Sequence, residues 1–276
     1  MDAEKLQAMI AEVAGAKHYR HIDIGIVEQV CREEAQKRAK PKEIVKAAKR
    51  RLHQMTGAYC EKQTGGLHKA TINKESNTDQ ESVLASMDAL CAAHASTRER
   101  MPFAGELFSD IRERVGGMER VADWACGVNP VLYVAECLRA GVPLPRFYAA
   151  YDIRHDVLGR IRACFDRFTI DAIVEVCDLL TECPNAQADI TLLFKIVPLL
   201  ERQQRGRFEQ VIDATRSPFV AVTFPTRSLG GKNVGMAAQY RRFFAAYLQH
   251  ADHRLVFEKE YPCELLFLLE RAERRI

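Results

Sequence analysis

Five parallel strands wound with helices, closed by an antiparallel hairpin and preceded by a helical segment, make up the α/β fold that this 276-residue sequence predicts. Three observations predict it. After residue 118, short β-rich runs alternate with helical stretches, the pattern of a doubly wound parallel sheet. The last two apolar runs are separated only by a tight turn at Tyr261-Pro262, so they must pair antiparallel. The first hundred residues carry helical periodicity instead.

Taken in order, residues 41–59 place Ile44, Ala48, Leu52, Met55 and Tyr59 at spacings of three and four, which is one helix face. Lys42, Lys46, Lys49 and Arg50 fall mainly off that stripe, and Pro41 suits a first helical turn, where its missing N–H costs nothing. Residues 62–80 are polar, with Gly65-Gly66 and clusters of Asn, Ser and Thr, and read as loop. Helical pattern resumes near Gln80 and runs toward Thr97. Strands are expected at 120–125, 146–151, 172–176, 189–194 and 219–224, with helices between them, and a hairpin at 254–260 and 264–269. The chain is expected to divide into a helical domain, 1–76, and a sheet domain, 77–276.

Composition bounds the function. An apolar content of 47% and a charged content of 28% are ordinary for a globular protein. No apolar run approaches the roughly 18 residues of a membrane span, and the charged start Met1-Asp2-Ala3-Glu4-Lys5 lacks the apolar core of a signal peptide, so a cytoplasmic protein away from membranes is expected. The nine cysteines are odd in number and form no CxxC pair, which predicts reduced thiols and no metal site. The net charge of +3 is uneven: residues 1–75 carry 15 Lys+Arg against 10 Asp+Glu, so the rest is slightly acidic. A basic module facing an anionic partner is implied.

Candidate ligand positions lie where strands end. Residues 123–130 (DWACGVNP) end the first strand and open a helix; Gly127 lets backbone approach a ligand closely, although a plain strand-to-helix turn would read the same. One glycine of three excludes the dinucleotide fingerprint. Asp152, at the tip of the second strand and 25 residues past Gly127, can accept both hydroxyls of a ribose, or equally cap a helix. Asp178, after the third strand, can accept from an adenine amino group, with Leu179 packing nearby. Three such positions at successive strand ends persuade more together than singly. Upstream, Arg98 in residues 94–102 (HASTRERMP) offers a two-pronged contact for a carboxylate, or pairs on the surface with Glu99 or a helical neighbour. Residues 218–236 (PFVAVTFPTRSLGGKNVGM) run from a strand through a Pro turn into a basic, Gly-rich loop.

Together HASTRERMP, ACGVNP, YDIR, residues 188–205 (ADITLLFKIVPLLERQQR) and FPTRSLGGKNVGM resemble the aminoglycoside-resistance 16S rRNA guanine-N7 methyltransferases, the Arm/Rmt enzymes and their homologues in aminoglycoside producers. The likeness covers nearly the whole chain and is strongest over residues 91–236. It implies a class I S-adenosylmethionine methyltransferase fold with a seven-stranded sheet, an N-terminal RNA-recognition domain, and methylation of guanine 1405 within the assembled 30S subunit. By resemblance, Arg98 holds the cofactor carboxylate and His94, Ala95, Ser96 and Thr97 line that side. Ala125 and Gly127 pass beneath the methionine moiety, Asp152 binds the ribose, and Asp178 with Leu179 binds the adenine. Tyr59, Phe194 and Gln203 match further pocket positions. Lys195, Glu201 and Arg205 fall at the catalytic mouth as positioning groups, and Arg227, Lys232 and Met236 in RNA-engaging motifs. Arg154 stands where the resemblance would place a second acid.

Guanine N7 carries an unprotonated lone pair at neutral pH, so its methylation needs no general base; positioning is expected to supply the catalysis, roughly 7–11 kcal/mol for near-attack placement. N7 lies in the deep, narrow major groove of A-form RNA, so a splayed or distorted target is expected. Lys17, Arg20, Lys46, Lys49, Arg50, Arg51 and Lys62 are the candidate phosphate contacts, and a solvated face is the alternative for each. A monomer is expected. A non-catalytic rRNA-binding protein, a nucleotide-dependent oxidoreductase and a small-molecule methyltransferase remain as other readings.

Overall fold

The computed structural model describes residues 2–56, 79–226 and 236–272. Seven strands, β1 (Arg120–Trp124), β2 (Phe147–Asp152), β3 (Asp171–Val176), β4 (Ile190–Phe194), β5 (Phe219–Pro225), β6 (His253–Glu260) and β7 (Glu264–Arg271), form one sheet in the order β3-β2-β1-β4-β5-β7-β6. The first five pair in parallel, and β7 runs antiparallel to both β5 and β6. All seven expected strands are present, with ends moved by at most two residues. β2 and β4 are apolar almost throughout because helices cover both faces of the sheet.

Three helices come first: α1 (Ala3–Ala14), α2 (Ile24–Lys37) and α3 (Pro41–Thr56). Asp2 and Asp23 cap the first two by accepting from Glu4 N–H at 3.2 Å and Gly25 N–H at 2.8 Å. The three share a core of Val13, Val27, Cys31, Ile44, Ala48 and Leu52, all fully buried. The expected α3 stripe forms the buried face as far as Met55; Tyr59, Lys62 and the polar stretch to residue 78 lie outside the described residues.

The helix expected from Gln80 toward Thr97 is instead two, α4 (Gln80–Ala92) and α5 (Ala95–Arg100). His94 breaks them with an extended backbone, φ −109° and ψ 114°, which redirects the chain and turns the His94 ring toward the ends of the strands. After a short 3₁₀ turn come α6 (Ala104–Val115), α7 (Asn129–Ala140) and α8 (His155–Phe168), which cover one face of the sheet together with α4. The other face is covered by α9 (Val197–Gln203), α10 (Arg207–Asp213) and α11 (Met236–Leu248). There Phe208, Phe224, Phe244 and Phe267 interlock, with Phe244 stacked on Phe267 at 4.3 Å. Such ring pairs add about 0.5–1.5 kcal/mol each beyond their area burial.

The helical bundle grips the loop that follows β2. Ile22 bridges Arg154, Asp23 N–H donates to Ile153 O at 3.0 Å, His155 N–H donates to His21 O at 2.9 Å, and the His155 ring meets Asp23 Oδ2 at 2.9 Å. This clasp sits on the loop that follows β2. Among the described residues no helix is long and apolar enough to cross a membrane, and the cysteines are free and, apart from half-buried Cys183, buried.

Candidate active site

The chain winds in opposite directions from β1 and β4, so the crevice at their carboxyl ends is the switch point where doubly wound sheets bind ligands. Trp124 is in register with Tyr151 and Asp152 with Val176, which sets the loops after β1, β2 and β3 side by side. A cleft opens there, lined by residues of the loops after β1, β2 and β3.

The β1 turn forms its floor. Ala125 and Gly127 both hold left-handed backbone, φ 57° and 54°. Cys126 N–H donates to Tyr151 O at 2.9 Å, tying the turn to β2. Gly127 N–H donates to Asp152 Oδ2 at 2.9 Å while Asp152 Oδ1 accepts from Arg154 N–H at 3.0 Å, so backbone donors orient both carboxylate oxygens. Burial nevertheless raises Asp152 above the usual carboxylate range, against these donors and Arg154. Asp178 accepts from Leu180 N–H at 2.9 Å and is likewise raised by burial. Two oriented acidic groups thus face one cleft whose lining also includes the apolar Leu179, Phe194, Ile196, Leu199 and Leu200.

His94 is buried against Gly127, its Nδ1 3.0 Å from Thr97 Oγ1. Burial first, then the charges of Arg154 and Arg100, push its pKa down to about 3, so the imidazole is neutral at physiological pH. Ser96 and Thr97 line the cleft beside it. Met55 and Thr56 at the end of α3 also line it, so the helical bundle contributes to the site.

Of the expected pocket residues, His94, Ser96, Thr97, Ala125, Gly127, Asp152, Asp178, Leu179 and Phe194 converge on this cleft. Ala95, Arg98 and Gln203 do not line it. Arg98 Nη1 donates to Ala92 O at 3.0 Å, whereas Arg100, two residues on, lines the cleft with its guanidinium 4.6 Å from the Phe194 ring centre. The Gln203 amide instead meets Gln54 at 3.4 Å. Tyr59 lies outside the described residues.

The three groups expected at the catalytic mouth separate. Lys195, left-handed at φ 58° and 1% exposed, donates from Nζ to Glu99 Oε2 at 2.7 Å and meets Glu264 Oε1 at 3.1 Å. Glu201 accepts from Gly206 N–H at 3.0 Å and Phe208 N–H at 2.9 Å, so its carboxylate closes the turn between α9 and α10. Arg205 is exposed on that turn. Among the expected RNA contacts, Lys17, Lys46 and Arg50 are exposed. Lys49 pairs with Glu12 at 2.8 Å, Arg51 with Glu33, and Arg20 Nε donates to His21 at 3.0 Å. Met236 begins α11 and is half-buried; Lys62, Arg227 and Lys232 lie outside the described residues.

Sequence reasoning missed Arg100, Asn129 and Glu264. Arg100 lay in view within HASTRERMP, but nothing local distinguishes it from Arg98. A charge opening the apolar run ELLFLL was the only signal for Glu264.

A family model described as ribosomal RNA methyltransferase (FmrO) matches residues 15–257. The chain belongs to this family. A 16S rRNA (guanine(1405)-N(7))-methyltransferase of Frankia casuarinae is 37% identical over 234 residues, covering 83% of this chain and 80% of that relative. One from Serratia marcescens is 31% identical over 265 residues, covering 95% and 97%. The crystal structure of the 16S rRNA methyltransferase RmtF with S-adenosyl-L-homocysteine superposes with a TM-score of 0.81 at 33% identity, covering 99% of this chain and all of that one. Among the described residues no cluster of His, Cys, Asp and Glu could hold a metal ion. As a member of the FmrO family, the protein is an rRNA methyltransferase.

Proposed function

We propose that this protein transfers a methyl group from S-adenosylmethionine to N7 of guanine 1405 in 16S rRNA, in the assembled 30S subunit, and thereby confers aminoglycoside resistance. The observation that carries the reading is the cleft at the switch point, where the backbone-oriented carboxylates of Asp152 and Asp178 share the lining with apolar side chains. The naming of the relatives as guanine-1405 N7 enzymes and the S-adenosyl-L-homocysteine bound to RmtF support substrate and cofactor.

The residues fit the cofactor. In this reading Asp152 accepts from ribose hydroxyls and Asp178 from an adenine amino group, while Leu179, Leu199 and Leu200, which line the same cleft, offer apolar surface to the base. Gly127 leaves room at the floor for the His94 ring. S-adenosylmethionine supplies a methyl on a positive sulfonium, open to in-line displacement. Guanine N7 needs no deprotonation, so the protein's task is to orient and to exclude water; Phe194, Ile196 and Leu200 do the latter. Neutral His94 adds no positive charge beside the cofactor.

Residues 1–76 act in this reading as the RNA-recognition domain and 77–276 as the methyltransferase domain, in a cytoplasmic monomer without a catalytic metal. Exposed Lys17, Lys46 and Arg50 meet phosphates directly; Lys49 and Arg51 exchange an internal carboxylate for one. The test is methyl transfer from labelled S-adenosylmethionine to purified 30S subunits, followed by reduction and aniline cleavage. A single break at guanine 1405, absent with Asp152→Ala, is expected. Methylation elsewhere, or none despite cofactor binding, refutes the substrate assignment.

A further inference from the structure

Beneath the cleft wall runs a buried chain of charged and polar groups drawn from five parts of the sequence. Glu264, 0% exposed at the start of β7, accepts through Oε2 from Arg100 Nε at 3.2 Å and Nη2 at 3.1 Å. Its Oε1 lies 3.0 Å from Arg100 Nη2 and 3.1 Å from Lys195 Nζ, charge contacts without aligned hydrogen bonds. Arg100 Nη1 donates to Asn129 Oδ1 at 2.8 Å, and Asn129 Nδ2 to Asp123 Oδ2 at 2.7 Å. Arg100 and Lys195 are each 1% exposed, so two buried cations share one buried carboxylate; Glu99 reaches Lys195 from a half-exposed position.

Arg100 lines the cleft, and Lys195 sits between Phe194 and Ile196, which also line it. A positively charged ligand placed there feels both cations, and among the described residues Glu264 is the buried carboxylate that touches both. A buried cation left without its counterion is costly, and more so beside another cation.

We propose that Glu264 is a positioning residue for the cofactor's charge: by compensating Arg100 and Lys195 it makes the cleft tolerant of a sulfonium, and so sets the preference for S-adenosylmethionine over the uncharged thioether S-adenosylhomocysteine. This rests on the cofactor reading above. The two ligands differ at sulfur by one methyl and one charge, so a purely structural role of Glu264 moves both affinities together, whereas a charge role moves their ratio.

The experiment is calorimetric titration of the full chain with each ligand, for wild type, Glu264→Gln and Glu264→Gln combined with Lys195→Met. At an effective dielectric of about 20, one unit charge about 10 Å from another corresponds to roughly a fifteen- to twenty-fold effect. Glu264→Gln is expected to lower the S-adenosylmethionine to S-adenosylhomocysteine affinity ratio by that factor, and the double variant, which restores the net charge, to return it to the wild-type value. Equal weakening of both ligands, or an unchanged ratio, overturns the proposal. Should Glu264→Gln fail to fold, Lys195→Met alone is expected to raise the ratio, and no rise overturns the proposal equally. Wild type that binds neither ligand defeats the cofactor reading itself, an outcome distinct from a ratio that does not move.

Discussion

A Cβ built on Gly127 would lie 2.6 Å from Cε1 of His94, so the β1 turn and the break between α4 and α5 are fitted to one another at the floor of the cleft. Gly127 meets two demands at once: its backbone is left-handed, φ 54°, and the His94 ring occupies the space a side chain would need. The ring cannot swing away cheaply, because it is buried and bonded to Thr97.

Gly127→Ala is therefore expected to destabilise the protein by about 1–3 kcal/mol from backbone strain alone, and to weaken cofactor binding through displacement of His94. Adding His94→Ala relieves the clash but leaves the strain, so the double variant recovers part of the drop in melting temperature. Thermal melts of the three proteins check this; an unchanged melt in Gly127→Ala counts against it.

Asp123 makes stability depend on pH. It is fully buried at the end of β1, its Oδ2 accepting from Asn129 Nδ2 at 2.7 Å and Tyr148 OH at 3.0 Å, and burial pushes its pKa up to about 7. The folded protein thus binds this proton more tightly than the unfolded chain, so its contribution is fully present below about pH 4 and lost as pH rises through about 7. His94 has the opposite sign, gaining stability as pH rises from about 3 toward its ordinary value. Subtracting wild type from Asp123→Asn in denaturant titrations across pH cancels His94 and isolates Asp123. The variant is expected to lack that decline between pH 4 and 7; parallel profiles refute the assignment.

Glu201 is expected to act through stability. Its two carboxylate oxygens satisfy backbone N–H groups at the head of α10, as a helix cap does. Glu201→Ala should cost about 0.5–2 kcal/mol, and Glu201→Gln less, since one acceptor remains. An unchanged melting temperature in Glu201→Ala removes this role.

The exposed cations of the helical bundle divide by partner. Lys46 and Arg50 are exposed on α3, whereas Lys49 is tied to Glu12. Removing one cation that neutralises a phosphate lowers the slope of log affinity against log salt by about 0.7–0.9. Binding of 30S subunits across a salt series is expected to show that drop for Lys46→Ala and Arg50→Ala. Identical slopes for wild type and both variants exclude these residues from phosphate binding.

What could be read ahead followed the range of the physics. Gly127, Asp152 and Asp178 were legible because a strand end followed by a turn is a local pattern, and in a parallel sheet such ends meet at one edge. Arg98 was singled out by its residue type and by the resemblance of HASTRERMP to the family motif. The break at His94 rotates α5 so that Arg100, rather than Arg98, lines the cleft, and dihedral angles at one residue leave no periodic trace. Glu201 was placed at the catalytic mouth by resemblance, and its partners, the N–H groups of Gly206 and Phe208, are backbone and carry no side-chain signature in the sequence.

By itself the sequence determined the strand and helix alternation, the antiparallel closing hairpin, the basic helical start and the motifs that mark the rRNA methyltransferase family, since hydrophobic period, turn chemistry and motif spacing are all short-range. Only the tertiary structure decided that Met55 and Thr56 line a cleft built at the far end of other elements, that Glu264 binds Arg100 across 164 positions, and that Lys195 is held below the cleft wall. Those pairings come from strand order and helix packing, and the cost of leaving a buried charge without a partner selects them only once the chain has closed on itself.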